Sequence, residues 1–160
     1  ENMNFSIKFT LRKTSSIFVN NHDVMSKLFL PKIDLSVSKF SSISSIRKFL
    51  VTKQRLLTKN KNIIMIGRDI GTVVVPNAKF KFYLNASSYV RAKRRYDQTK
   101  TKYKSIEEIK KSIDLRDKID STRKDSPLIP AKDAMIIDTD NLSLLEVVDK
   151  MYNVFIGENL

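Results

Sequence analysis

Residues 63–69 read IIMIGRD, a short apolar run that ends in a glycine and two charged residues. A run of this length without polar alternation is typical of a buried strand in a parallel sheet. Ligands of such sheets collect at the carboxyl ends of the strands, where a glycine lets the backbone approach closely. We therefore predict a strand over residues 63–66 and a ligand-contacting turn at Arg68 and Asp69. The alternative is an ordinary charged transition from strand to loop, which is the usual meaning of an isolated Gly-Arg-Asp.

Two more apolar segments, residues 80–84 and 134–138, are candidate strands, and segments of helical spacing separate them. This alternation predicts an α/β fold in which helices cover a parallel sheet. Residues 5–20 alternate between apolar and polar positions around a polar break, which predicts a strand–turn–strand unit. Helical spacing and capping residues predict helices from about residue 43 to 58, from 87 or 88 to 98, from the capping box at 105–108 onward, and from about 143 to the end.

The helix that begins near residue 105 carries the most informative pattern. Its inward-facing positions recur three and four residues apart, and they change from isoleucine to charged residues along the helix. The positions are Ile106, Ile109, Ile113, Arg116, Asp120 and Arg123. Two arginine forks suit phosphate oxygens, and an aspartate between them can accept hydrogen bonds from sugar hydroxyls. These charges are therefore expected to line a polar cleft that receives an anion.

A simpler interpretation of the same helix end is that it has left the core and carries an ordinary surface ion pair between Arg116 and Asp120. Taken alone, the segment favours that interpretation. It weakens because Asp-Ser-Pro, residues 125–127, turns the chain back towards a strand and keeps the helix end near the sheet.

The chain is strongly basic, with 30 Lys and Arg against 17 Asp and Glu and a net charge of +13. Residues 91–124 hold 13 Lys and Arg against 6 Asp and Glu, so they carry +7 of that total. Such a balance favours anionic partners such as nucleic acid or phosphorylated small molecules. The arginine cluster of Arg91, Arg94 and Arg95 could stabilise a transferring phosphoryl group, or it could be a solvated basic helix or a nucleic-acid patch.

Composition excludes several other classes of site. There is no cysteine and a single histidine, so disulfides, thiolate metal sites and multi-histidine metal sites are excluded, and we predict no metal ligands. The apolar runs are too short to span a bilayer.

Taken in order, these segments resemble the bacterial cytidylate kinase family. The resemblance is carried by Gly67-Arg68-Asp69-Ile70-Gly71-Thr72-Val73-Val74, Leu84-Asn85-Ala86-Ser87, Arg91-Ala92-Lys93-Arg94-Arg95-Tyr96, Arg116-Asp117 with Asp120-Ser121-Thr122-Arg123, Pro127-Leu128-Ile129-Pro130-Ala131, and Asp133-Ala134 through Asp138-Thr139. Order and spacing agree over residues 63–150 and more loosely over 17–60. No single motif is decisive, but their common register makes chance agreement implausible.

The resemblance implies a kinase that transfers a phosphoryl group from ATP to CMP or dCMP, with Mg²⁺, in pyrimidine nucleotide metabolism. The implied fold is that of the P-loop nucleoside-monophosphate kinases, a five-stranded parallel sheet flanked by helices. Residues 1–36 would be a small β-containing monophosphate-binding insert and residues 37–160 the kinase core, with a mobile lid at about 95–120. The implied partners are small-molecule nucleotides and neither nucleic acid nor membrane. We expect a monomer, and the cytoplasm is the default location.

The resemblance also assigns site residues. The family's cytosine contacts fall on Ser38, Arg47 and Asp69, and the arginines that hold the CMP phosphate on Arg68 and Arg123. Arg116 and Asp120 match the pair at the sugar. Arg91, Arg94 and Arg95 match lid arginines near the ATP phosphates, and of these we expect Arg94 and Arg95, together with Arg123, to act in catalysis.

The sequence departs from the family at one large feature. The family opens with a strand and a Gly-rich loop that ends in Gly-Lys-Gly/Ser-Thr or similar and cradles the ATP phosphates, and residues 1–160 hold no such loop. In the family fold that strand is central, between the strands predicted at 63–66 and 80–84. We therefore expect residues 1–160 alone neither to fold stably nor to phosphorylate CMP. Two alternatives stay open, a CMP-binding pseudokinase remnant and a basic RNA-binding module, although the glycine-aromatic motifs and zinc spacings of such modules are missing.

Overall fold

The computed structural model of the chain describes residues 5–9, 15–28, 31–59, 62–99 and 105–157. Contacts divide it into two units, Glu1–Ile43 and Ser44–Leu160. This boundary lies beyond the expected one at 36/37 because a helix, α1 (Pro31–Ser41), runs through that position. The assignment of residues 1–36 as a monophosphate-binding insert stays a prediction.

The first unit contains a three-stranded antiparallel sheet in the order β1 (Phe5–Phe9), β2 (Ser15–Val19) and β3 (His22–Asp23). Phe5 pairs with Val19 at one end of the β1–β2 ladder, which confirms the two strands predicted within residues 5–20. The predicted turn between them lies outside the described residues. Asn20 and Asn21 join β2 to β3 with φ of 50° and 64°, the left-handed conformation that asparagine tolerates in tight hairpin turns.

The second unit alternates helices and strands. Its elements are α2 (Ser44–Thr58), a π-helical segment (Ile70–Val74), β4 (Phe82–Asn85), α3 (Ser88–Thr99), α4 (Ile106–Thr122), β5 (Met135–Asp138) and α5 (Leu144–Gly157). β4 and β5 form a parallel pair with Tyr83 opposite Ile136. The α/β class, two of the predicted strands and all four predicted helices are therefore confirmed. No helix in the described part is both long and apolar enough to cross a membrane.

The strand predicted at residues 63–66 is wrong for this structure. The segment belongs to no sheet, and Ile64 and Ile66 are 92% and 95% exposed. A strand exists only where a neighbouring strand accepts and donates its backbone hydrogen bonds, and none of the described strands lies beside this one. The apolar run therefore stays an extended, exposed segment that leads into Gly67.

The two helices that carry most of the candidate site pack against each other. α3 and α4 are in contact, and Ala92 of α3 is fully buried while Ile109 of α4 is 6% exposed. The small alanine side chain lets the two helix backbones approach closely. The rings of Phe80 and Phe155, 5.1 Å apart, connect α5 to the segment before β4. These contacts fix the direction in which the charged end of α4 points.

The start of α4 is set by a side-chain cap. The Ser105 hydroxyl accepts a hydrogen bond from the Glu108 backbone N–H at 3.2 Å, and Ser105 itself is extended, with φ −74° and ψ 161°. This hydrogen bond is one of the two that the predicted capping box contains. The cap fixes the register of the helix, and therefore which residues face inward at its far end.

Replacing the cap should weaken the fold. Ser105→Ala is expected to lower the free energy of unfolding by about 1 kcal/mol, because one backbone donor at the start of α4 loses its partner. Ser112→Ala is the matched control, since Ser112 is exposed in the middle of the same helix and alanine is at least as good a helix former. Urea unfolding in the presence of trimethylamine N-oxide, which strengthens apolar burial, measures both. Equal effects of the two substitutions would show that the cap does not stabilise α4.

Candidate functional site

Asp120, near the end of α4, is the centre of a cluster of arginines. The residue is 2% exposed. Its Oδ2 lies 2.9 Å from Arg68 Nη1, and its Oδ1 lies 3.1 Å from Arg123 Nη1. Arg116 Nε is more distant, 3.9 Å from Oδ2. The structure brings these side chains together, and Asp120 does not belong to a surface pair with Arg116, because its carboxylate is buried.

The chain after α4 folds back onto the helix end. The Leu128 N–H donates to the Asp120 carbonyl at 2.8 Å, and Arg123 Nε donates to the Ser126 carbonyl. Ser126 adopts φ 54°, a left-handed conformation that turns the chain sharply. The Asp-Ser-Pro turn therefore brings the chain back to the end of α4, as the sequence indicated. The Arg123 side chain is only 5% exposed.

A second buried ion pair joins α2 to the Gly-Arg-Asp turn. Arg47 Nη2 contacts Asp69 Oδ2, and the side chains are 13% and 7% exposed. Arg55 lies about two turns after Arg47 on α2 and donates to the carbonyls of Val73 and Val74 at 2.7 and 3.1 Å. These bonds hold the π-helical segment against α2 and fix the turn that carries Asp69.

The cluster carries more positive than negative charge. Five arginines meet three aspartates, which leaves a surplus of two positive charges: Arg47, Arg68, Arg91, Arg116 and Arg123 face Asp69, Asp117 and Asp120. Burial, followed by the charge of Arg47, lowers the pKa of Arg123, while Asp120 and Asp69 oppose this shift. Burial, followed by Arg68, lowers the pKa of Arg116. A bound anion would offset both the free-energy cost of removing these charged groups from water and the repulsion between them.

Asp117 belongs to this cluster, although it was not predicted as a site residue. Its Oδ1 lies 2.7 Å from Arg68 Nη1 and its Oδ2 2.5 Å from Arg91 Nη1. The spacing rule contained the signal, because Asp117 lies four residues after Ile113 and three before Asp120, on the same helix face. Asp117 thereby links α4 to both α3 and the Gly-Arg-Asp turn.

The three arginines of α3 have different surroundings. Arg91 donates to the Ala86 carbonyl at 3.0 Å as well as to Asp117. Arg94 is directed to the loop after β5, where it donates to the Thr139 hydroxyl at 3.1 Å and to the Leu142 carbonyl at 3.3 Å. Arg95 is exposed, and its charge lowers the pKa of Arg116. Their predicted roles at the ATP phosphates, and that of Arg123 in catalysis, stay predictions.

Ser38 was predicted to contact the same ligand as Arg47. It lies in α1, within the first unit, whereas all the other predicted site residues lie in the second unit. Its side chain is outside the described part of the structure, and its role stays a prediction.

A cavity of about 400 Å³ opens beside the second ion pair. Arg47, Val51 and Arg55 of α2 line one side of it, and Asp125 and Ser126 line another. Its volume is within the range of small-molecule sites. Arg47 is the residue that this cavity shares with the cluster of arginines and aspartates.

Comparisons with known proteins point to one family. A family model described as cytidylate kinase matches residues 1–156. Proteins named cytidylate kinase are similar to the chain: 44% identical over 142 residues in Clostridium botulinum (strain Okra), 45% over 138 residues in Caldanaerobacter subterraneus subsp. tengcongensis, and 41% over 141 residues in Limosilactobacillus reuteri. The alignments cover 88%, 85% and 86% of this chain but 65%, 62% and 62% of those proteins. The chain thus spans less than two thirds of the length of these curated relatives.

Neutralising Asp120 should destabilise the second unit. Asp120→Asn is expected to lower the free energy of unfolding by about 3 kcal/mol or more, because buried arginines lose their common counter-ion. Asp114→Asn is the control, since Asp114 pairs with Lys110 on the exposed side of α4, and it should leave the unfolding midpoint unchanged. Urea unfolding in trimethylamine N-oxide compares the two. A similar midpoint for both variants would contradict a central role for Asp120.

Proposed function

The chain belongs to the cytidylate kinase family, a family of phosphotransferases, and we propose that its second unit provides the CMP site of a kinase that transfers a phosphoryl group from ATP to CMP or dCMP. The observation that carries the proposal is the buried Asp120 carboxylate with Arg68, Arg116 and Arg123 around it. Arginine forks are suited to a phosphate, and the charge surplus of the cluster matches the two negative charges of a nucleoside monophosphate.

The ion pairs suggest a division of roles within this site. Arg68 and Arg123 would bind the phosphate, since their guanidinium groups already lie on either side of one carboxylate. Arg116 and Asp120 would contact the sugar, where a carboxylate accepts hydrogen bonds from hydroxyls. Arg47 and Asp69 would recognise cytosine, because Arg47 offers donors and Asp69 offers acceptors to the edge of the base. The assignment of Ser38 to cytosine stays a prediction from the resemblance.

The phosphoryl donor of the proposed reaction is ATP, accompanied by Mg²⁺, which would supply positive charge against the negative charge that builds up on the phosphates. Among the described residues, no group of three His, Cys, Asp or Glu side chains could hold a metal ion. The described part therefore does not fit a protein-held Mg²⁺ site.

The chain's own contribution to the transfer would be electrostatic. Arg91 and Arg95 would face the ATP phosphates and Arg123 the CMP phosphate, so that fixed positive charge surrounds the group that moves between them. Arg94 would have to leave the loop after β5 to join them. Closure of the proposed lid, at about residues 95–120, over the two nucleotides would accompany this movement of Arg94.

For the protein as a whole, the proposal includes a five-stranded parallel sheet of the nucleoside-monophosphate kinase type. It also includes a monomeric state and a location in the cytoplasm, where the nucleotide pools are. The exposed run at residues 63–66 supports the larger sheet, because a neighbouring strand would give its backbone the hydrogen bonds that it lacks. The expectation that residues 1–160 alone do not turn CMP over stays a prediction, and an assay for CDP in the presence of ATP and Mg²⁺ checks it.

Cytosine recognition offers a direct test. Isothermal titration of residues 1–160, folded in trimethylamine N-oxide, should show tighter binding of CMP than of UMP, because a carboxylate accepts from the amino group of cytosine and repels the carbonyl of uracil. Asp69→Asn should reduce the CMP/UMP preference by about tenfold or more, the value of one hydrogen bond to a charged group. Asp149→Asn, an equal charge change on the exposed part of α5, should leave the preference unchanged. Absence of CMP binding by the unmodified chain, or an undiminished preference in Asp69→Asn, would contradict the proposal.

A further inference from the structure

Asp117 connects two arginines that come from different elements. One carboxylate oxygen is 2.7 Å from Arg68 Nη1 in the Gly-Arg-Asp turn, and the other is 2.5 Å from Arg91 Nη1 in α3. We propose that Asp117 is a positioning residue, which orients Arg68 towards the phosphate of the bound nucleoside monophosphate and Arg91 towards the phosphates of ATP. The inference rests on the proposed function of this site.

The contacts of Arg68 show how the orientation is achieved. Asp117 and Asp120 both approach the same nitrogen of Arg68, Nη1, at 2.7 and 2.9 Å. The hydrogen bond that Asp117 accepts from Arg68 is donated by Nη1. Two carboxylates that share this nitrogen restrict the orientation of the guanidinium, and Nη2 is the terminal nitrogen through which it would take an incoming anion.

Arg91 is held in a similar way. Its Nε donates to the Ala86 carbonyl at 3.0 Å, and its Nη1 contacts Asp117. With these two nitrogens engaged, Nη2 is the donor that a phosphate could take. Because a single carboxylate holds both arginines, the position of one depends on the position of the other. Asp117 therefore couples α3 to the turn that carries Arg68.

Exposure separates the role of Asp117 from that of Asp120. The Asp120 side chain is 3% exposed and lies inside the cluster, whereas Asp117, Arg68 and Arg91 are 25%, 29% and 36% exposed. Asp117 thus lies at the edge that an entering ligand reaches, where loss of its carboxylate is less damaging to folding.

Charge and orientation predict opposite effects for the removal of Asp117. Removing a negative charge should by itself strengthen attraction to phosphate. At this degree of exposure, however, solvent screens that effect. The long side chain of Arg68, once it has lost Asp117, must be ordered again when the CMP phosphate binds, and arginine is among the side chains with the most conformational freedom to lose. We therefore expect the loss of orientation to prevail, so that phosphate binding weakens.

The comparison of CMP with cytidine isolates the phosphate. NMR titrations of residues 1–160 and of Asp117→Asn, both folded in trimethylamine N-oxide, should show that the substitution reduces CMP affinity by about tenfold, the size of one charge-assisted hydrogen bond, and leaves cytidine affinity unchanged. Asp114→Asn is the matched control, because Asp114 lies one turn earlier on α4, contacts Lys110 at 2.8 Å and undergoes the same change of charge. It should leave both affinities unchanged.

Each other result overturns the inference. Equal weakening of CMP and cytidine would indicate a merely structural role, and tighter CMP binding would indicate that Asp117 competes with phosphate for the arginines. If circular dichroism shows that Asp117→Asn is unfolded, Asp117→Glu serves instead, since it keeps the charge but displaces both oxygens, and unchanged CMP affinity there would overturn the proposal. Failure of the unmodified chain to bind CMP would contradict the proposed function itself, whereas normal CMP binding with no effect of Asp117 would contradict this inference alone.

Discussion

A carboxylate taken out of water must be compensated by positive charge or by donated hydrogen bonds, and Asp120 is nearly completely buried. The segments around it are arranged to meet that requirement. The turn after the exposed apolar run supplies Arg68, and the chain that folds back from α4 supplies Arg123. The buried Leu128–Asp120 backbone hydrogen bond at 2.8 Å keeps that returning chain in place. One ionised side chain thus specifies how three parts of the second unit come together.

The arginines around Asp120 and its neighbouring aspartates supply more positive charge than neutrality requires. This excess of positive charge makes the cluster suited to an anionic ligand. Burial lowers the pKa values of Arg116 and Arg123, and repulsion from neighbouring arginines lowers them further. A structure that needed only a stable core would be served better by apolar side chains of similar volume. The surplus is therefore most simply understood as preorganisation for an anion, in which the repulsion between the guanidinium groups is relieved when the phosphate arrives.

Much of this site could be predicted from the helix period. Positions 116, 120 and 123 continue the stripe of Ile106, Ile109 and Ile113, so their convergence follows once α4 is placed against α3. Asp117 was missed because the interpretation followed one residue per turn, although two neighbouring residues can share a helix face. The preference of Arg94 for the Thr139 carbonyl and hydroxyl depends on how the α3–β5 region packs, which no local pattern encodes. The strand at 63–66 failed for a related reason, since an apolar run specifies a strand only when a partner strand lies beside it.

The central claim is that the guanidinium groups around Asp120 bind the phosphate of CMP. Nitrogen-15 NMR of the arginine side chains, recorded during titration with CMP and separately with cytidine, tests it most directly. The account predicts that the signals of Arg68 and Arg123 shift with CMP and stay in place with cytidine, while Arg94, which donates to the Thr139 hydroxyl and the Leu142 carbonyl, does not respond to either ligand. Unmoved Arg68 and Arg123 signals at saturating CMP, or a response of Arg94 as large as theirs, would contradict it.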